Sequence, residues 1–520
     1  MISIPQRLLG EALSRSSKKF TDKTAIISKG QEYTYGTLHE SAEKLSKYLM
    51  ASGVEKGDRV AIFMENSWES IVSIYAATLS GAVFLVINPQ TKSDKLNYII
   101  NDSEAKVLVA SCALKNELLK ALEDTTALKL LIVSGDTGQM QIPNSINVSN
   151  LEEILHQEIL QAKVNHIIPN DLAALIYTSG STGFPKGVMM THQSMVFTSW
   201  SLIEYLRLSE TDRIMLLLPL AFDYGLYQLI MAITIGGTLI VEQSFVFTSS
   251  IYNNIEKYKP TVFPGVPTIY AMMIASNKEN GKTFPDIEKI TNTAAALPAE
   301  FIPDLQKIFP NALIFKMYGL TECKRVCYLE PELIDVKPSS VGKAIPGTEV
   351  FLLSIDGEPT LSGKPGILHI RGPHVMVGYW KKENLSREML KPWKLPGEKI
   401  LCSNDWFTMD EDGFLYFLGR NDDIIKTRGE KVSPVEIENV IYRIEGVREV
   451  AALGIPDIIM GESIVVYVTT HHSIKLSEKE IQIACKNQLE QFMVPQKVIF
   501  IEEMPKSTNG KIDKKELVKI

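Results

Sequence analysis

The sequence predicts an α/β protein. Parallel sheets fill its first two thirds, a short-stranded antiparallel part follows, and a small α+β unit ends the chain. Three observations carry this. Helical and strand-like segments alternate from about residue 32 to 316. After about residue 340 the segments shorten to strands set around Asp-Gly turns. A charged stretch, 419–438, then leads into a final segment with three strands and two helices, enough to fold alone.

The chain has 520 residues, more than one core usually serves, and its 45% hydrophobic and 22% charged content is ordinary for a globular enzyme. A net charge of −7 argues against a protein held to nucleic acid by a general positive field. The first twenty residues read as an amphipathic helix, not a secretory signal, because Glu11 interrupts them and no apolar run follows. Segment 34–53 has helical spacing and stops at Gly53. Segment 58–66 reads as a strand, and 68–89 as a helix, a Gly stop and a buried strand. The apolar stretch Leu226 to Val241 falls short of the roughly 20 residues that span a bilayer. It contains Gln228, Gly236 and Gly237, and reads as a buried helix, a Gly-Gly turn and a strand.

Beyond 340, "TEVFLLSIDGEP", "GILHIRGP" and "DWFTMDEDGFLYFLGR" predict a small antiparallel barrel or sheet. Seven charged residues lie between Arg420 and Lys431, which suits a linker. Ser433-Pro434-Val435-Glu436 and Ser477-Glu478-Lys479-Glu480 read as capping boxes that open the last two helices. The five cysteines, Cys112, Cys323, Cys327, Cys402 and Cys485, are scattered and form no CxxC pair. That usage fits a reducing cytoplasm better than a disulfide framework.

The sharpest feature is "YTSGSTGFPKGVMMTH", 177–192. An apolar strand leads into Thr178, Ser179, Gly180, Ser181, Thr182 and Gly183, and Lys186 follows. Glycines let the backbone approach an anion, N–H and hydroxyl groups donate to it, and the lysine adds charge, so the loop suits a polyphosphate. No Walker A pattern aligns with it.

Together with further segments downstream, this loop resembles the adenylate-forming superfamily of acyl-CoA synthetases, carrier-protein adenylation enzymes and luciferases. "MYGLTE" (317–322), "GYW" (378–380), "SNDWF" (403–407), "GRNDDIIKTRGEKVSPVEIE" (419–438) and "PKSTNGKIDKKEL" (505–517) occur in the family's order. The resemblance implies an N-terminal domain, 1–420, of two α/β sheets plus a distorted β-barrel at about 340–420. It also implies a small mobile C-terminal domain, 421–520, turning on a hinge at Asp422. It implies an AMP-forming ligase that uses ATP and Mg²⁺. Loop 178–186 would hold the β- and γ-phosphates, Thr321 the α-phosphate, Glu322 the metal, and Tyr318 beside Gly319 the adenine. Asp405 and Arg420 would meet the ribose. Asn404 stands where the family has Gly, and Asn tolerates the left-handed backbone. Lys511 would reach the carboxylate and α-phosphate during adenylation, and the Gly429 region would serve the thiol step.

In amino-acid-activating members an Asp at the position of Asp223 pairs with the substrate ammonium. Asp223 also reads as a helix N-cap. Phe222, Tyr224, Tyr227, Pro264, Met317, Arg325 and Val326 are pocket residues by position, and they imply a modest pocket in place of a long acyl tunnel. "MYGLTECKRV" looks like free-standing enzymes that load proline or similar small amino acids onto a separate carrier protein. A CoA ligase for an acyl or aryl acid is the competing expectation. A nucleotide-binding protein without catalysis is the third, and the set Lys186, Glu322, Asp405, Arg420 and Lys511 speaks against it.

Overall fold

The computed structural model describes residues 6–520 apart from 137, 139, 159–164, 179–184, 243–247, 294, 296, 422, 428–429, 458–459, 472–475 and 508–510. It also leaves out the side chains of 248, 279, 280 and 431. The described residues build four sheets, of nine, eight, five and five strands.

The eight-stranded sheet runs, edge to edge, through Gly378–Tyr379, Lys186–Thr191, Leu172–Thr178, Val83–Ile87, Arg59–Phe63, Ala105–Ser111, Leu130–Ser134 and Asn147–Asn150. From Leu172–Thr178 onward its neighbours are parallel, while the first two strands pair antiparallel. The nine-stranded sheet has a parallel centre and antiparallel edges, Gln31–Thr34 at one side and Cys327–Leu329 with Lys343–Ala344 at the other. Parallel strands need crossovers, and helices supply them on the faces.

Local chemistry explains the crossovers. The helix Trp68–Ser80 starts at a closed capping box between Ser67 and Ser70 and stops at a left-handed Gly81. It is buried at nearly every position, as a helix between two layers must be. The helix Asp223–Ile235 behaves alike and ends at left-handed Gly236 before the strand Thr238–Val241. Its Gly225 is required sterically. A Cβ there would lie 2.4 Å from the Pro219 carbonyl, so only glycine lets this helix start against the 218–219 turn. Among the described residues no helix is long and apolar enough to cross a membrane.

Residues 349–420 form an antiparallel five-stranded sheet of Glu349–Leu353, Gly366–Arg371, Leu390–Pro392, Lys399–Met409 and Leu415–Arg420. The last sheet joins Ile425–Thr427, Glu430–Val432, Val447–Asp457, Gly461–Thr470 and Lys497–Phe500, and the helices Pro434–Tyr442 and Glu478–Gln488 pack with it. The fold is therefore α/β, with a large N-terminal domain of several sheets and a small C-terminal domain. The Ser477 capping box closes both ways. At Ser433 only one half is seen among the described residues: its hydroxyl accepts from the Glu436 N–H and donates to the Leu418 carbonyl. The small domain touches the large one where Arg443 meets Glu300 at 3.1 Å and Tyr442 stands edge-on to Phe301.

Candidate active site

Two strand ends face the crevice where open α/β sheets bind ligands. Leu172–Thr178 delivers Thr178, and Leu313–Tyr318 delivers Tyr318. Ser179, Gly180, Ser181, Thr182 and Gly183 lie outside the described residues, but both ends of their loop are placed. The Thr178 hydroxyl is buried there with no hydrogen-bond partner among the described residues. Across the loop Lys186 begins the next strand, in register with Thr178.

Lys186 joins a three-membered cluster. Its Nζ lies 2.8 Å from the Tyr379 hydroxyl and 3.3 Å from Oε1 of Glu322. The Tyr379 O–H donates to that same carboxylate oxygen at 2.6 Å. Burial, and then the Glu322 charge, push the Tyr379 phenol far up, so it stays a donor. The strand pairing Tyr379↔Val188 holds it there. Tyr379 sits inside the "GYW" segment, and sequence reading passes over it; its signal is a buried aromatic carrying a polar tip within a matched segment.

The turn after Tyr318 builds the next part. Gly319 is obligatory, since a Cβ there would sit 2.0 Å from the Lys324 carbonyl. Lys324 itself is left-handed at φ +67°, and the Val326 N–H returns to the Tyr318 carbonyl. This tight loop carries Thr321, Glu322, Lys324 and Arg325. The Thr321 carbonyl accepts from the Lys324 ammonium at 3.0 Å, and burial lowers that ammonium to about 8 against the opposing charges of Asp223 and Glu322. Sequence reading passes over Lys324 as well.

Tyr318 donates its hydroxyl to Asp405, and its ring stands edge-on to Phe407. Burial lifts the Asp405 carboxyl to about 6, against the pull of Arg420, whose Nε is 3.9 Å away and which pairs with it in strand register. Asn404 takes the left-handed conformation at φ +58° that its place in the motif demands.

The pocket residues form a third cluster. Asp223 is not the N-cap of its helix. Phe222 holds that position without a side-chain cap bond, and Asp223 is the first helical residue. The Asp223 carboxylate turns to Arg325, 3.5 Å from its Nη1, and both are buried. The Arg325 guanidinium lies 4.8 Å from the Tyr224 ring centre, and Phe222 is edge-on to Tyr224. Tyr224 is spent on the core, bonded to Thr291. Met317 accepts from the Tyr205 hydroxyl, and Tyr227, Pro264 and Val326 are buried. Lys511 reaches this cluster from the small domain. Its Nζ is 5.9 Å from the Phe222 ring centre. Burial at that contact, with Arg420 beside it, lowers its ammonium to about 8. Asp422 and Gly429 lie outside the described residues.

The site therefore sets Lys186 against a buried carboxylate, Glu322, Arg420 beside an aromatic–carboxylate pair, Tyr318–Asp405, and Lys511 beside Phe222. Those groups suit a triphosphate and a ribose. The family comparison decides whose site this is. The sequence profile of the AMP-binding enzyme matches residues 13–380, and that of the AMP-binding enzyme C-terminal domain matches 436–511.

This chain belongs to the AMP-binding enzyme family.

It is 27% identical over 541 residues to the long-chain-fatty-acid–CoA ligase of Bacillus subtilis (strain 168), covering 99% of this chain and 95% of that one. It is also 27% identical over 521 residues to a component of the linear gramicidin synthase of Brevibacillus parabrevis, covering 99% of this chain but 6% of that protein. Its fold superposes on the crystal structure of the anthranilate CoA ligase AuaEII in complex with anthranoyl-AMP with a TM-score of 0.90. Identity there is 25%, covering 99% of this chain and 98% of that one. As an AMP-binding enzyme the chain is an AMP-forming acid–thiol ligase that activates a carboxylic acid with ATP. The similar proteins are mostly acyl- and aryl-CoA ligases, so likeness to proline-loading enzymes in particular is not what the comparisons favour.

Proposed function

We propose that this enzyme is a CoA ligase for a small acid. The acid's carboxylate oxygen attacks the α-phosphorus of ATP, and the bond to the bridging oxygen of pyrophosphate breaks. The coenzyme A sulfur then attacks the acyl carbon of the adenylate, loses its proton, and expels AMP. The observation that carries the choice of acid is the Asp223–Arg325 pair, buried and 3.5 Å apart. A substrate ammonium would meet a carboxylate already matched by a guanidinium, so a substrate cation gains little there. Likeness to the long-chain-fatty-acid–CoA ligase and to the anthranilate CoA ligase supports coenzyme A as the acceptor.

In this reading loop 178–186 and Lys186 take the β- and γ-phosphates, Thr321 the α-phosphate, and Tyr318 and Gly319 the adenine. Asp405 and Arg420 take the ribose. Lys511 bridges the substrate carboxylate and the α-phosphate, and positive charge there offsets the repulsion of two anions. A magnesium ion fits Glu322. A hard dication of this kind takes one or two protein carboxylates and fills its shell from phosphates and water, and one buried carboxylate beside the phosphate loop meets that need. When bound, it would neutralise phosphate charge. Domains 1–420 and 421–520 would turn about Asp422 between the two half-reactions, so that Lys511 leaves and the Gly429 region approaches the thiol.

A second reading keeps Asp223 as the partner of an amino acid's ammonium, with a separate carrier protein as acceptor. The buried position of Asp223 beside Phe222 favours it, as does likeness to a segment of the gramicidin synthase. ATP–pyrophosphate exchange over a panel of small acids and amino acids separates the two, followed by offering coenzyme A or a phosphopantetheine-bearing carrier. The CoA-ligase reading expects exchange with plain small acids and a CoA thioester. Exchange confined to amino acids and abolished in Asp223→Ala would replace it with the second reading. Absence of exchange with every acid would remove both.

A further inference from the structure

Arg325 has a donor that nothing uses among the described residues. The residue is 2% exposed. Its Nη1 donates to the Lys324 carbonyl at 2.8 Å and makes a long 3.5 Å contact with Asp223. Its Nε is buried without a hydrogen-bond partner among the described residues. A guanidinium carries five donors in a planar fork shaped for a carboxylate, and among the described residues Asp223 and the Lys324 carbonyl engage Nη1 and leave Nε over. Buried donors left unpaired are uncommon in native proteins, and each calls for an explanation.

The place of this fork is informative. Lys511, at the reacting end, stands over Phe222. Phe222 is edge-on to Tyr224, at 6.5 Å between centres, and Tyr224 lies under Arg325. A line of contacts thus runs from Lys511 through Phe222 and Tyr224 to the guanidinium. An alkyl end brought against Arg325 would leave a buried cation unsolvated, whereas an oxygen anion would complete the fork.

We infer that Arg325 selects the substrate by its far end, and that the preferred acid is a compact one carrying a second carboxylate. This rests on the CoA-ligase reading of the site and narrows its substrate class. Asp223 then serves as the resting partner that holds the guanidinium in place and shares it when the substrate anion arrives.

The test compares succinate, glutarate and phthalate with butyrate, hexanoate, benzoate and a set of neutral amino acids in pyrophosphate exchange. The wild-type enzyme is expected to favour the dicarboxylates by at least about 100-fold in kcat/KM, as sites built to hydrogen-bond a substrate group reject analogues that lack it. Arg325→Ala is expected to erase that ratio by raising KM for the dicarboxylate while KM for ATP stays put. Arg325→Lys, which keeps the charge and loses the fork, is expected to retain part of it. If Arg325→Ala does not fold, the wild-type panel and Arg325→Lys still decide the matter. A wild-type preference for monocarboxylic acids or for amino acids overturns the inference and leaves adenylation standing. An unchanged ratio in Arg325→Lys and Arg325→Ala also overturns it. No exchange with any acid overturns instead the functional reading on which it rests.

Discussion

Tyr379→Phe removes one oxygen from the centre of the Lys186–Tyr379–Glu322 cluster and little else. The phenol sits between Lys186 at 2.8 Å and Glu322 at 2.6 Å. Its ring also faces the Lys186 ammonium at 4.0 Å, a contact phenylalanine keeps. The substitution deletes two hydrogen bonds to charged groups, each worth about 1.5–3 kcal/mol. Lys186 and Glu322 already approach to 3.3 Å and would close on each other, recovering part of that loss. The net cost is then about one such bond. At about 1.4 kcal/mol per tenfold, that is a loss of roughly 10- to 150-fold. The loss should fall on the nucleotide, because closure of the pair ties up the lysine and the carboxylate proposed above to take the phosphates and magnesium. Pyrophosphate exchange with MgATP varied at saturating acid is the assay, with the acid varied at saturating MgATP as the control. Expected is a 10-fold or greater fall in kcat/KM for ATP, an unchanged KM for the acid, and a melting temperature close to wild type. An unchanged ATP dependence, or equal losses for ATP and acid, would refute the claim that this hydroxyl keeps the two charges apart.

Further outcomes concern three other residues, Lys511, Asp405 and Gly319. Lys511→Ala should abolish pyrophosphate exchange yet spare thioester formation from supplied adenylate; loss of both, or of neither, refutes that division. Because the Lys511 ammonium is held near 8, it is charged below that pH and lost above it, so adenylation in the free-enzyme profile should decline through about pH 8. Lys511→Arg should flatten that limb if it retains activity. Asp405 is lifted by burial from 3.8 to about 6, so the folded state binds its proton more tightly than the unfolded state does. Its burden on stability is full above about pH 6, on the order of 3 kcal/mol, and fades as pH falls toward 3.8. Asp405→Asn should therefore unfold at higher urea than wild type at pH 7 while losing nucleotide affinity, with the stability gain gone near pH 4. Gly319→Ala should fold poorly or lose ATP binding, because its Cβ would lie 2.0 Å from the Lys324 carbonyl; full activity in that variant would show that the turn can open.

By itself the sequence determined what depends on neighbours along the chain. The helix that stops before Gly53, the helix–Gly–strand unit at 68–87 and the Gly236 turn all lie where periodicity and turn chemistry place them. Asn404 is left-handed because its motif position requires that backbone, a property of a few consecutive residues. The motifs also fixed which segments converge on the crevice, since alternation of strands and helices implies parallel sheets whose carboxyl ends share one side. Only the tertiary structure decided what each charged side chain meets. Asp223 reads as an N-cap or as the partner of a substrate ammonium until the turn at Gly319 brings Arg325, 102 positions away, against it. Tyr379 lies in a recognisable segment, but nothing local names its partners, because Lys186 and Glu322 lie 193 and 57 positions from it and sheet pairing helps to make them neighbours. Backbone conformation is set largely by local sterics and propensity. The partner of a buried charge is set by packing, which no window of sequence contains.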